Sequence, residues 1–424
     1  MLTLKILRED KEKVITRLKI KNFNAENIVE QIINLDDNRK NLQYSKDGLQ
    51  NQLNDISKDI GKLYAQKQIK EADELKTKTV EIKENIKSIE TELSSVEKDL
   101  NDLIVLLPNL PHESVPPGKG ENDNLIIKEG GKIPVLISKK PHWDLIKEYN
   151  IIDFELGTKI TGAGFPVYIG KGAKLQRALI SFFLDEAEKA GYTEILPPLM
   201  VNEDSGFGTG QLPDKEGQMY HVTADNFYLI PTAEVPVTNI YRDVILNEKD
   251  FPIKNMAYSA CFRREAGSWG AHVRGLNRLH QFDKVEIVQI CKPENSYEAL
   301  EEMKLHVENI LVKLELPYRI VKLCGGDISF TSALTFDFEV FSAAQERWLE
   351  VSSVSNFEDF QTNRLKLRYK PDNDKKTRLA HSLNGSALAL PRIMAAIIEN
   401  YQTVEGILIP KVLREYTKFD KITK

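Results

Sequence analysis

The chain has 424 residues, of which 41% are hydrophobic and 29% are charged, and its formal net charge is -5. This length predicts two or three domains and at least one large core. The negative charge argues against a protein that coats nucleic acid non-specifically. The cysteines, Cys261, Cys291 and Cys324, are far apart and lack metal-ligand spacing, so we expect neither structural zinc nor a disulfide framework.

The hydrophobic runs bear on whether the protein is exported or inserted in a membrane. The N-terminal run MLTLKILRED contains no apolar core of the kind that a secretory signal has. No apolar run approaches the roughly 20 residues that a membrane-spanning helix needs. We therefore expect a soluble, cytoplasmic protein that has no membrane partner.

A heptad pattern dominates the N-terminal part of the chain. Apolar side chains recur at heptad spacing, mostly four and then three residues apart, in two stretches. The first contains Leu42, Leu49, Leu53, Ile56, Ile60 and Leu63, and the second contains Leu75, Thr79, Ile82, Ile86, Ile89, Leu93, Val96, Leu100 and Leu103. Such a stripe is typical of a coiled-coil seam. The break near residues 65–71 is long enough to reverse the chain, so we predict an antiparallel helical hairpin over about 26–104.

Prolines and glycines end this seam and mark a domain boundary. Pro108, Pro111, Pro116 and Pro117 are followed by glycines, a composition typical of a linker. We predict a helical arm over 1–107 and a second domain over 108–424. Acidic and basic residues are roughly balanced in the arm, so by pattern alone it is a spacer or a dimerisation rod.

The stretch Met256–Ile290 carries the most unusual combination of side chains. Two strand-like runs, Met256–Phe262 and Leu279–Ile290, flank a glycine-rich loop, and their period-two spacing predicts an antiparallel hairpin. The hairpin presents cations, carboxylates and an aromatic ring, namely Arg263, Glu265, Arg274, Phe282 and Glu286. Such a surface can hold an anion, a flat aromatic ligand and an ammonium group. The alternative is a solvated hairpin with surface ion pairs.

Two segments precede this hairpin in the chain. Residues 172–190 have the pattern of an amphipathic helix, and a short strand that ends at Pro197 follows it. A strand at Phe227–Ile230 leads into Thr232-Ala233-Glu234. By pattern alone these three residues are a helix start, with Thr232 as the N-cap.

Two later segments carry further polar chemistry. A strand that contains Glu350 and Ser353 offers a carboxylate and hydroxyls, which can hold a hard cation together with phosphate oxygens. Further on, Gly385 marks a turn, and Pro391 predicts that a helix begins about there. Arg392 then lies near the positive end of that helix, where an arginine favours phosphate. The alternative is a structural arginine.

The runs Phe262–Ser268, Arg274–Leu276 and His280–Glu286 resemble motif 2 of the class II aminoacyl-tRNA synthetases, and more narrowly of the seryl enzymes. The Thr-Ala-Glu run stands where seryl enzymes carry it. The class motifs then lie at about 172–200, 256–290 and 381–401. The resemblance implies an α+β fold, with an N-terminal antiparallel coiled coil and a catalytic domain whose mostly antiparallel sheet is flanked by helices.

The resemblance also implies an activity and partners. Such an enzyme activates L-serine with ATP to seryl-adenylate, and transfers serine to the 3′ end of tRNA(Ser), and of tRNA(Sec) where a cell has it. In this family the coiled coil binds tRNA, the protein is a homodimer, and Mg²⁺ accompanies ATP.

The matched positions imply a role for each site residue. Arg263 bridges the serine carboxylate and the α-phosphate, and Arg392 holds the γ-phosphate and flanks the adenine. Phe282 stacks on the other adenine face, and Glu265 meets the adenine edge. The ATP-binding set is Arg263, Arg264, Glu265, Phe282, Glu350, Val351, Ser352, Ser353 and Arg392. The serine-binding set is Thr232, Ala233, Glu234, Arg263, Glu286 and Ser386, and Glu350 and Ser353 are the magnesium ligands.

Two rival hypotheses remain at this stage. The first is a threonyl or prolyl class II enzyme, which the lack of a C-terminal anticodon domain after motif 3 disfavours. The second is a homologue that has lost catalysis and acts as a binding scaffold. The presence of every charged motif residue disfavours that second hypothesis.

Overall fold

The structure, a computed structural model, describes residues 1–214, 217–265 and 274–424. The chain folds into two compact units. The first contains Met1–Lys19 and Phe23–Pro108, and the second contains Ile20–Asn22 and Asn109–Lys424. Within the described ranges, no helix combines the length and the apolar character needed to cross a membrane.

The first unit is a long helical hairpin. Its helices are α1 (Leu4–Glu9), α2 (Lys11–Ile20, whose last residue belongs to the second unit), α3 (Glu26–Ala65) and α4 (Ile69–Ile104). The Lys46 ammonium of α3 pairs with the Glu90 carboxylate of α4 at 3.0 Å, as the antiparallel register requires. The heptad positions are buried or half-buried, and most positions between them are exposed. The predicted antiparallel coiled coil is therefore confirmed.

The second unit contains the sheets and the remaining helices. Its helices are α5 (His142–Glu148), α6 (Phe154–Ile160), α7 (Lys171–Lys189), α8 (Glu203–Thr209), α9 (Glu234–Asn239), α10 (Ser296–Lys313), α11 (Phe360–Leu365), α12 (Leu390–Asn400) and α13 (Arg414–Thr417). Its strands are β1 (Leu125–Gly130), β2 (Ile152–Asp153), β3 (Val167–Tyr168), β4 (Thr193–Glu194), β5 (Met200–Val201), β6 (His221–Val222), β7 (Phe227–Leu229), β8 (Ile245–Asn247), β9 (Ile253–Phe262), β10 (Gln281–Cys291), β11 (Tyr318–Lys322), β12 (Leu334–Ser342), β13 (Arg347–Glu358), β14 (Arg368–Lys370), β15 (Arg378–Leu379), β16 (His381–Ala389), β17 (Gln402–Thr403), β18 (Gly406–Leu408) and β19 (Lys421–Ile422).

A central sheet organises this unit. Over the described residues it has eight strands in the order β1-β11-β12-β13-β16-β10-β9-β4. All neighbours are antiparallel except β4 and β9, which are parallel. Helices α7, α10 and α12 bury their apolar faces in the same core as the sheet, through side chains such as Phe183, Met303 and Ile397. The predicted mostly antiparallel sheet with flanking helices is confirmed.

The predicted hairpin lies at the centre of this sheet. Strands β9 and β10 pair in an unbroken register, from Phe262 opposite Gln281 to Ile253 opposite Ile290. Both strands therefore have the antiparallel arrangement that the period-two pattern indicates. The glycine-rich connection between them includes residues 266–273, which lie outside the described residues.

The predicted turn at Gly385 is wrong, because this residue lies in the middle of β16. Gly385 is paired with Ile287 of β10 and with Val354 of β13. A Cβ atom at this position would lie 2.9 Å from Cγ2 of Val354, closer than side chains normally approach. The glycine is needed for close packing against the neighbouring strand rather than for a change of chain direction.

Candidate active site

A cleft lies where β10, β13 and β16 meet the start of α12. The segments that follow β9 and precede β10 form its other wall. The predicted site residues that line it are Arg263, Glu265, Phe282, Glu350, Val351, Ser352, Ser386 and Arg392. The cleft therefore brings together residues that are far apart in the chain.

An irregularity in β13 decides which of its side chains share a face. Residues three apart on a regular strand point to opposite faces. Here Glu350 is paired with Glu339, whereas Ser352 is paired with Phe338, so Val351 is an extra residue on β13. Ser353 is paired with Asp337, two residues from Glu339. The bulge thus places Glu350 and Ser353 on the same face.

Arg263 is anchored at the mouth of the hairpin. Its backbone N–H donates to the carbonyl of His280 at 2.9 Å, which continues the pairing beyond β9. Its Nε donates to the carbonyl of Pro231 at 3.4 Å. The guanidinium lies 5.3 Å from the centroid of the Phe282 ring, a cation–π distance. Nearby, the carboxylate of Glu265 is 2.9 Å from Nη1 of Arg278.

Arg392 lies in the first turn of α12, the end of the helix that carries the positive partial charge. Its Nη1 donates to the carbonyl of Glu350 at 2.6 Å and lies 3.3 Å from the Glu350 carboxylate. Its Nε donates to the carbonyl of Asn277 at 3.2 Å. A cationic fork and a helix N-terminus thus meet at one end of the cleft, an arrangement that suits phosphate.

A buried polar cluster lies behind the opposite part of the cleft. The ammonium of Lys284 is 2.5 Å from a Glu286 oxygen and donates to the Thr232 hydroxyl at 2.8 Å. The Ser386 hydroxyl donates to Glu286 at 3.4 Å from the paired strand. All four residues are buried, so this ion pair is largely desolvated.

Glu234 belongs to the same cluster. Its Oε1 accepts a hydrogen bond of 2.6 Å from Gln361, which in turn accepts one of 2.7 Å from the Ser382 hydroxyl. Burial, with the nearby Glu286 carboxylate, raises the pKa of Glu234 to about 7, although Gln361 and Lys284 oppose that shift. This carboxyl group therefore changes its charge near neutral pH.

An acidic groove adjoins the cleft, and Glu350 lines both. Asp337, Glu339 and Ser353 also line the groove. Burial, with the Glu350 carboxylate, raises the pKa of Asp337 well above its usual range, although a hydrogen bond from Ser353 opposes this. Among the described residues, no group of three or more histidine, cysteine, aspartate or glutamate side chains is arranged to hold a metal ion. A carboxylate and a hydroxyl beside a phosphate site do suit Mg²⁺, which usually takes few protein ligands and completes its shell with phosphate oxygens and water.

The remaining predicted residues lie outside the cleft lining. Arg264 is exposed, and its backbone N–H donates to the carbonyl of Gln218 at 2.9 Å. Ala233 is fully buried and is itself the N-cap of α9, so the predicted N-cap at Thr232 is wrong by one residue. The Thr232 hydroxyl lies one position earlier, where it accepts the Glu234 N–H at 3.3 Å and the Lys284 ammonium at 2.8 Å. Ser353 lines the acidic groove but not the cleft.

Sequence reasoning assigned no role to two residues that hold the buried cluster together. Lys284 lies on the same strand as Phe282 and Glu286, and the period-two spacing was the signal that it shares their face. Gln361 carried no such signal, because α11 approaches Glu234 only through the tertiary fold.

Comparison with known proteins identifies the family. The chain matches the model of the seryl-tRNA synthetase N-terminal domain over residues 1–111, and that of the class II core domain of the G, H, P, S and T synthetases over 220–401. It is 47% identical to the serine–tRNA ligase of Salinibacter ruber over 424 residues, which covers 100% of this chain and 99% of the relative. The chain belongs to the seryl-tRNA synthetase family.

Further relatives support the same assignment. The serine–tRNA ligase of Pelodictyon phaeoclathratiforme is 46% identical, over 100% of this chain and 99% of its own. A crystal structure of seryl-tRNA synthetase from Pyrococcus horikoshii complexed with ATP superposes with a TM-score of 0.93 at 35% identity, and covers 100% of this chain and 99% of that one. The resemblance inferred from the motifs is confirmed, and the threonyl and prolyl alternatives lose their support. A seryl-tRNA synthetase is an aminoacyl-tRNA ligase, so the predicted enzyme class is confirmed as well.

The raised pKa of Glu234 predicts how stability changes with pH. Because the folded-state pKa, about 7, exceeds the usual 4.5, the folded state favours the protonated carboxyl. The resulting stabilisation, on the order of 3 kcal/mol, is complete below the unfolded-state pKa and is lost as the pH rises through the folded-state pKa. We expect Glu234→Gln, which cannot titrate, to gain stability relative to the native chain between pH 5 and pH 8.

The measurement is the thermal unfolding midpoint of both proteins at these two pH values. Glu188→Gln, at an exposed position on α7, is the control and should show no relative change. A difference between Glu234→Gln and the native chain that is the same at both pH values would contradict the prediction.

Proposed function

We propose that the cleft and the buried cluster behind it carry out both steps of serine ligation to tRNA. In the first step a serine carboxylate oxygen attacks the α-phosphorus of ATP, a new P–O bond forms, and pyrophosphate leaves. In the second step the terminal ribose hydroxyl of the tRNA attacks the carbonyl carbon of seryl-adenylate, and AMP leaves. The substrates are ATP, L-serine and tRNA(Ser), with tRNA(Sec) as a further acceptor where a cell has it.

The first step joins two anions, so it needs charge neutralisation and in-line positioning rather than a covalent nucleophile. Arg263 bridges the serine carboxylate and the α-phosphate, and Arg392 holds the γ-phosphate and flanks the adenine. Phe282 stacks on the adenine, and Glu265 contacts the edge of the adenine. The positions of these four side chains around one cleft support the proposal. Arg264 reaches the nucleotide from outside the cleft lining, and Val351 and Ser352 contribute to the cleft wall.

The buried cluster receives the serine molecule. Thr232, Glu234, Glu286 and Ser386 offer carboxylates and hydroxyls for its ammonium and hydroxyl groups, and Ala233 keeps the pocket small. Alanine is rejected because these buried polar groups would remain unpaired, a penalty that can be large. Threonine is rejected by its additional methyl group.

Glu350 and Ser353 are the residues that would hold Mg²⁺ beside the ATP phosphates. When bound, the ion neutralises phosphate charge during transfer. The common face that the β13 bulge gives to these two residues supports this assignment. The chain's own contribution is to aim a carboxylate and a hydroxyl at the phosphates beside Arg392.

The helical arm binds the long variable arm of tRNA, and a rigid rod suits this task because double-stranded RNA is recognised mainly by shape and backbone.

The protein works as a cytoplasmic homodimer. Side chains that follow β4, namely Leu196, Leu199 and Met200, are 84%, 40% and 51% exposed, and their apolar character supports a dimer contact at motif 1.

The observation that carries the proposal is the convergence of Arg263, Phe282, Ser386 and Arg392 on one cleft. The scaffold hypothesis predicts binding without turnover. Amino-acid-dependent exchange of pyrophosphate into ATP, measured with each of the twenty amino acids and without tRNA, separates the two. We expect exchange with serine alone. Exchange with threonine or proline would refute the serine pocket, and no exchange by folded protein that binds ATP would favour the scaffold.

Replacement of Arg263 by alanine tests the bridging role. We expect Arg263→Ala to lower serine-dependent exchange by about 100- to 1,000-fold, because a charge that stabilises the transition state is removed. Binding of tRNA through the arm should stay within about twofold of the native value. The control is Arg368→Ala, at an exposed position on β14, which should exchange normally. An Arg263→Ala protein with near-native exchange would show that the bridging role is wrong.

Shortening the arm tests the proposed tRNA contact. Lys46 and Glu90 face each other at 3.0 Å, so a short turn can replace residues 47–89 without separating the helices. We expect the shortened protein to keep serine-dependent exchange, and to aminoacylate tRNA(Ser) about a hundredfold less efficiently at limiting tRNA. Unchanged aminoacylation would contradict tRNA binding by the distal arm.

A further inference from the structure

A buried histidine–glutamate pair lies behind the nucleotide end of the cleft. His142 is the first residue of α5, Glu399 lies near the end of α12, and neither is exposed to solvent. The backbone N–H of His142 donates to Glu399 Oε1 at 2.9 Å, and its Nδ1 lies 2.7 Å from the same oxygen. Neither residue lines the cleft described above.

The other ring nitrogen of His142 reaches the segment before β10. Its Nε2 accepts the backbone N–H of Leu276 at 2.9 Å, so the ring proton is on Nδ1 and is donated to Glu399. The chain approaches the ring closely here, since a Cβ at Gly275 would lie 2.3 Å from Nε2. Gly275 also has a φ of +67°, a conformation that glycine adopts without strain.

Glu399 is itself fixed from its far side. The Ser342 hydroxyl donates to Oε2, and Gln345 donates to Oε1 at 2.9 Å. Burial alone raises the pKa of Glu399, but hydrogen bonds from His142 and Ser342 outweigh it and hold the pKa below its usual range. Gln345 also accepts from the Asn277 amide at 3.3 Å. The network therefore contacts two consecutive residues of the cleft wall, Leu276 and Asn277.

This wall carries the nucleotide side of the site. Residues 276–279 line the cleft. Arg278 pairs with Glu265, and the Asn277 carbonyl accepts the Arg392 Nε. The buried serine-side residues Thr232, Glu234 and Glu286 have other partners, which are Lys284 and Gln361. Displacement of the wall therefore disturbs Glu265 and Arg392, and leaves the serine pocket in place.

We infer that His142 is a positioning residue for ATP, which holds the wall 276–279 through Leu276 and thereby sets Glu265 and Arg392. The inference rests on the proposed function, because it takes the roles of Glu265 and Arg392 from it. A purely structural histidine–glutamate pair would stabilise the fold without any preference between the two substrates. The two possibilities differ in which binding constant changes.

Two replacements of His142 separate its two hydrogen bonds. In His142→Asn the side-chain amide can donate to Glu399 from the position of Nδ1, but cannot reach Leu276. In His142→Gln the amide oxygen takes the position of Nε2 and accepts from Leu276. We expect His142→Asn to bind ATP about tenfold more weakly in titration calorimetry, since one buried hydrogen bond to the wall is lost. His142→Gln should bind ATP within about threefold of the native protein.

The serine KM in pyrophosphate exchange should stay within about twofold in both variants, because the serine pocket has separate contacts. Three results would overturn the inference: native ATP affinity in His142→Asn, equal loss of ATP and serine binding, or the same ATP defect in both variants.

If neither variant folds, Ser342→Ala replaces them. About threefold weaker ATP binding with an unchanged serine KM then supports the inference, and native ATP affinity contradicts it. Failure of the native chain to bind ATP would instead refute the proposed function.

Discussion

Strand β10 hydrogen-bonds to β9 along one edge and to β16 along the other, and the cleft depends on this shared register. The β9 pairing runs directly into Arg263, whose N–H continues the ladder to His280. The β16 pairing places Ser386 opposite Glu286. A shift of one residue in either pairing would turn these side chains to the other face of the sheet, since side chains alternate along a strand. Site geometry and core packing are therefore specified together.

Departures from regular pairing are as important as the pairing itself. The extra residue in β13 gives Glu350 and Ser353 a common face. A second irregularity, where β16 passes β10, lies between Ala389 opposite Lys284 and Ser386 opposite Glu286. Bulges re-aim side chains at the cost of local pairing, and are common beside active sites for that reason. In this chain they lie beside the positions proposed for serine and for the ATP phosphates.

The polar residues behind the cleft illustrate how such a site is stabilised. A buried carboxylate is costly unless it is paired and hydrogen-bonded. Glu286 has Lys284, and Glu399 has His142, Ser342 and Gln345. Groups that are already oriented need little reorganisation when charge develops during a reaction, which is the main source of electrostatic catalysis. Glu234 shares a desolvated cluster with Glu286. Burial and the charge of that second carboxylate raise the pKa of Glu234.

The sequence by itself determined the coiled coil, the central hairpin and the family. Heptads and period-two spacing are local signals that need no distant partner, and the motif residues resemble those of one family closely enough to name the expected site set. Only the tertiary structure decided that Gly385 lies in a strand and that Val351 is an extra residue. It also decided that Gln361, Lys284 and His142 hydrogen-bond to Glu234, Thr232 and Leu276, respectively. Each of these depends on a partner that is remote in the chain, and the distance between two remote residues is set by packing rather than by local spacing.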